Sequence, residues 1–81
     1  MSARFVLPAS LSGLLRSELE RVICESAFSE DDSLIAQRYL VEKVAQVDIA
    51  AELEWDRATI SHHLKYCILP AVERVAKRLY T

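Results

Sequence analysis

Apolar residues recur along most of this chain at steps of three and four, the period of a helix that buries one stripe. Leu11, Leu14, Leu15, Leu19, Val22, Ile23 and Ala27 form the first stripe and predict a helix over 11–27. Ser10 stands as its N-cap, or Ser12 if Gly13 delays the start, and Pro8 keeps the preceding backbone extended. Residues 2–7 read as a short irregular arm whose Phe5 and Leu7 meet the core. The period breaks at FSEDDS, residues 28–33, where Ser29 can cap a second helix. Glu30, Asp31 and Asp32 then fall in its first turn, where negative charge suits the positive end of the helix dipole. Leu34, Ile35, Tyr39 and Leu40 carry that helix to its end near Lys43–Val44.

A short third helix is predicted over 46–53, opened by Gln46, with Ile49, Ala50 and Leu53 facing inward. Glu54 and Trp55 make a turn, with Trp55 read as a core plug. Asp56 then caps a fourth helix over 57–68, whose inward residues are Ile60, Leu64 and either Cys67 or Ile68. Pro70 lacks a backbone donor and disfavours helix at Leu69, so a break or kink is predicted there. A fifth helix over about 71–80 turns Val72, Val75, Ala76 and Leu79 inward, with Lys77 and Arg78 suited to its C-terminal end. The expected fold is all-α: one domain over 1–81, a compact bundle of about five helices.

Size and charge sharpen this picture. The chain has 81 residues, 52% hydrophobic and 27% charged. A domain so short buries only about 60% of the surface its unfolded chain exposes, so it needs an efficient core or a partner copy. The net charge is -2, but it is unevenly placed. Residues 1–52 hold five Lys/Arg against nine Asp/Glu, and residues 53–81 hold five against three, giving -4 and +2. Cys24 and Cys67 are the only cysteines. With no leader-like run among residues 1–9, both read as reduced core thiols of a cytoplasmic protein. No apolar run approaches the ~20 residues of a membrane span.

The informative object is the pair 46–53 and 57–68. A helix-turn-helix needs a short first helix with a small residue at the crossing, a tight turn, and a second helix that buries one stripe and presents its first turns outward. Ala50 supplies the small residue, and Ile49, Leu53, Trp55, Ile60 and Leu64 supply the wedge. Arg57, Ala58, Ser61, His62 and Lys65 are left on the outer face, where side chains can reach base edges or phosphates.

YLVEKVAQVDIAAELEWDRATISHHLK, residues 39–65, resembles the helix-turn-helix of sigma factor region four and its phage and bacterial relatives. Tyr39, Gln46, Ile49-Ala50, Leu53, Trp55, Asp56 and Thr59-Ile60-Ser61 stand at the matching places, over a third of the chain. ERVAKRLY, residues 73–80, extends the likeness loosely toward small phage-encoded transcription regulators. The resemblance implies a sequence-specific DNA-binding regulator of transcription. It implies that Gln46 and Thr59 approach phosphates, that Arg57, Ala58, Ser61 and His62 face the major groove of double-stranded DNA, and that Lys65 reaches the flanking backbone. Two positions depart from the family. Glu54 replaces the usual Gly at a residue expected to be left-handed, at a cost of about 1–2 kcal/mol. His62 and His63 replace frequent arginines, and a neutral imidazole attracts phosphate little, so binding is expected to strengthen as they gain charge.

Other chemistry finds less support. His62, His63, Cys67 and Cys24 do not follow the paired spacings of structural zinc, and no metal or other cofactor is expected. No glycine-rich loop, paired-carboxylate motif or phosphate cradle points to an enzyme. The long first stripe has a homodimer interface as its second reading. Two half-sites would then offset the weak charge, with the acidic first half directed away from the duplex. The alternative function is a protein-interaction module, binding RNA polymerase or a host regulator instead of DNA.

Overall fold

The computed structural model describes Leu11 and residues 13–80. The expected Ser10 and Ser12 caps, the extended Pro8 segment and the Phe5–Leu7 arm lie outside these residues. Among the described residues the fold is all-helical, with four helices between residues 16 and 80, one fewer than the sequence predicts. Helix α1 is Arg16–Glu25. Helix α2 spans 30–41, an α segment Glu30–Ala36 that runs into a π turn Gln37–Val41. Helix α3 is Gln46–Leu53. Helix α4 spans 57–80 and joins an α segment Arg57–His63, a π turn Leu64–Ile68 and a second α segment Leu69–Tyr80.

The missing break lies at Pro70. A proline inside an α-helix removes one donor and drives its ring into the carbonyl four residues back. Here the turn before it is wide: the N–H of Leu69 reaches back five residues to the carbonyl of Leu64. A π turn at that place absorbs the misfit, and the rod continues. The predicted fourth and fifth helices are therefore one.

Helix α1 also begins later than its apolar period implies. The backbone of Gly13–Leu15 is not helical, and the N–H of Leu15 is closed by Glu18 Oε1 at 2.8 Å. That carboxylate sets the start at Arg16, because it satisfies one of the donors a helix N-terminus leaves open. Leu15 is left 67% exposed, while Leu11, Leu19, Val22 and Ile23 are buried. At the other end Ala27 is exposed and left-handed (φ 54), outside the helix. Ser29 does cap α2, its Oγ accepting from the Asp32 N–H at 3.4 Å. Helix α2 ends at Val41, with Lys43 left-handed beyond it (φ 58).

One core joins the four helices. Helix α1 lies against the C-terminal half of α4 and the π turn of α2, while α3 lies against the start of α4. Ile35, Leu40, Ile49, Ile60, Ile68 and Val72 are wholly buried within it. The cysteines are not in this core: Cys24 and Cys67 are both exposed free thiols. Ile68, not Cys67, takes the inward place on α4.

Helices α2 and α3 are also tied at the surface. The Arg38 guanidinium donates from Nε to Glu52 Oε1 and from Nη2 to Glu52 Oε2, both at 3.1 Å, and from Nη1 to Glu42 Oε2 at 2.6 Å. These hydrogen bonds hold the Glu52 carboxyl below its usual range. A carboxylate lowered on folding stabilises the fold above its unfolded pKa, about 4.3 for Glu, and loses that contribution as pH falls through the folded value. The difference in melting temperature between the native chain and Glu52→Gln is therefore expected at pH 7 and should shrink below about pH 4. Thermal melts at the two pH values check this, and a difference that persists in acid would show that the ion pair is not its source.

Candidate nucleic-acid interface

Three residues connect α3 to α4, and their backbone is closed. The Trp55 N–H donates to the Ala50 carbonyl at 2.8 Å and the Glu54 N–H to the Ala51 carbonyl at 3.3 Å. This bond pair is the Schellman arrangement, which requires a left-handed residue at its corner. Glu54 takes that conformation (φ 59, ψ 38), as the sequence leads one to expect of this position. Because Gly bears no Cβ penalty there, Glu54→Gly is expected to raise the unfolding free energy by about 0.5–1 kcal/mol. Urea denaturation measures it, and a decrease instead would mean that the Glu54 side chain supports the turn.

Asp56 occupies the N-cap position of α4, but its side chain makes no capping hydrogen bond. Only its carbonyl engages the helix, accepting from the Ile60 N–H at 3.1 Å. Ile49, Ala50, Ile60 and Leu64 are buried in the core to which the two helices contribute, and Leu53 and Trp55 pack half-buried against it. A larger side chain at residue 50 would push the helices apart.

The outer face follows from that wedge. Arg57, Ala58, Thr59, Ser61, His62 and Lys65 are all exposed on α4, and Gln46 is half-buried at the first position of α3. The His62 ring lies 4.7 Å from the Tyr66 ring, and Lys65 Nζ lies 5.3 Å from the same ring. Among the described residues no carboxylate pairs with Arg57 or Lys65. Residues 57–72 carry no Asp or Glu, although the whole chain has 12. The exposed face therefore carries two fixed cations, Arg57 and Lys65, and one imidazole, His62.

His63 plays a part that the sequence did not disclose. Its Nδ1 lies 2.9 Å from Asp32 Oδ1, and its ring lies 5.1 Å from that of Trp55. It thus braces α4 against the first turn of α2 and is not a surface counterpart of His62. Asp32 thus meets the second helix of the pair through half-buried His63. Nothing local signals this link, because the two residues are 31 positions apart. Among the described residues no three His, Cys, Asp or Glu side chains are grouped to hold a metal ion, and no helix is long and apolar enough to cross a membrane.

No family model, curated protein or solved structure matches this chain. Its own geometry has to carry the functional reading.

Proposed function

We propose that the chain is a sequence-specific DNA-binding regulator of transcription, of phage or bacterial origin, whose helices α3 and α4 act as a sigma region four-like helix-turn-helix. The observation that carries this reading is the outer face of α4: Arg57, Ala58, Thr59, Ser61, His62 and Lys65 exposed together, with no carboxylate from 57 to 72. In the proposal the first turns of α4 enter the major groove. Arg57, Ala58, Ser61 and His62 meet base edges, while Thr59, Gln46 and Lys65 meet phosphates. Arg57 is the strongest reader, because its guanidinium can donate twice to one guanine. The protein acts in the cytoplasm, where double-stranded DNA is its partner and RNA polymerase a further one. A homodimer would place two such helices about 34 Å apart on one duplex.

Selection from random duplex DNA at low salt tests the proposal. The expected result is an enriched motif, two-fold symmetric if the chain dimerises. Absence of enrichment, together with capture of a polymerase subunit or regulator through the same face, would favour the protein-interaction reading.

A further inference from the structure

Tyr66 is anomalous for its place. It sits in the middle of α4, yet it is 60% exposed and is one of only three large apolar side chains so exposed among the described residues. The buried row of this helix runs Ile60, Leu64, Ile68 and Val72, at steps of four. Ala58, His62, Tyr66, Pro70 and Arg74 are exposed at the same step. In a strictly α-helical rod such a row would drift around the axis. The π turn 64–68 takes up part of that drift, and it leaves Tyr66 beside His62.

The ring is also held. His62 lies 4.7 Å from it, tilted by 49°, and Lys65 Nζ lies 5.3 Å from its centroid. An aromatic ring fixed between an imidazole and an ammonium gives up little rotamer freedom on meeting a partner. Its hydroxyl is a donor as well as an acceptor.

The row that Tyr66 belongs to identifies what it meets. Ala58 and His62, which the proposed reading sets at base edges, lie two turns and one turn before it on the same exposed row, and the His62 ring is 4.7 Å away. With those residues in the groove, Tyr66 lies farther along the same face, where a recognition helix leaves the bases and meets the flanking sugar-phosphate strand. We infer that Tyr66 is a further DNA contact, its hydroxyl donating to a phosphate oxygen on the strand flanking the groove, with Lys65 pairing beside it. This inference rests on the DNA-binding reading and adds to it a residue that neither motif nor spacing singles out.

The test uses the full chain and the duplex obtained by selection. Tyr66→Phe removes the donor and keeps the ring, and it should weaken binding about 10- to 100-fold, the usual worth of one hydrogen bond to a charged acceptor. Tyr66→Ala should weaken it further. Both variants should keep the native salt slope, whereas Lys65→Ala should reduce that slope by about one unit. A duplex with single methylphosphonate replacements should reveal one neutralised phosphate that weakens the native chain and leaves Tyr66→Phe unaffected. Unchanged DNA affinity in both Tyr66 variants, with unchanged melting temperatures, would overturn the assignment and leave the DNA-binding reading standing. Failure of the native chain to bind any duplex would overturn that reading, and this assignment with it. Release of a protein partner by Tyr66→Ala with DNA binding intact would also overturn it.

Discussion

Ile60→Ala is expected to lower the unfolding free energy by about 3–4 kcal/mol, the cost of truncating a fully buried isoleucine and leaving a cavity. Ile60 is 0% exposed and belongs to the first segment of α4, which packs on α3. The effect is large for this chain, since domains of this size hold on the order of 5–10 kcal/mol in total. Urea denaturation followed by circular dichroism measures it, with Thr59→Ala and Ser61→Ala as neighbours expected to change stability by no more than about 0.5 kcal/mol. The contrast is what matters: three successive residues, with only the middle one in the wedge. A decrease under about 1 kcal/mol at Ile60 would mean that the wedge does not fix the helix pair.

The second large effect concerns binding alone. Arg57→Ala combined with Lys65→Ala is expected to leave the melting temperature nearly unchanged, because both side chains are exposed and neither has a carboxylate partner among the described residues. Affinity for the selected duplex should fall about 100-fold or more: a bidentate arginine–guanine pair is worth ~1–3 kcal/mol, and a phosphate interaction adds to it. The dependence of log affinity on log salt should flatten by about one unit for each phosphate that the substituted chain no longer neutralises. Fluorescence anisotropy titrations at three salt concentrations give both numbers. Equal affinity and slope in the native and doubly substituted chains would remove DNA from the reading head.

These two experiments probe the part of the molecule that is most legible in the sequence. Helix α3 falls on its predicted bounds, Glu54 is left-handed as expected, and the packing of Ile49, Ala50, Ile60 and Leu64 follows from spacing. All of these depend on neighbours in sequence, which a period or a turn rule can see. The misreadings have the opposite character. The continuity of α4 through Pro70 depends on a wide turn two residues earlier, and no single-residue preference encodes that. The late start of α1 arises because Leu14 and Leu15 extend an apolar period that Glu18 cuts short by bonding to the Leu15 N–H. The usual burial of cysteine points Cys24 and Cys67 toward the core, yet each stands outside the buried row of its helix. The Asp32–His63 and Arg38–Glu52 links join residues 31 and 14 positions apart, so only the assembled fold brings them together.

The unbroken α4 has a consequence for how the domain can come apart. Twenty-four residues of helix, 57–80, span about 36 Å at ~1.5 Å per residue. Its buried row packs with α3, α2 and α1 in turn, so none of the three can leave without baring part of that same row.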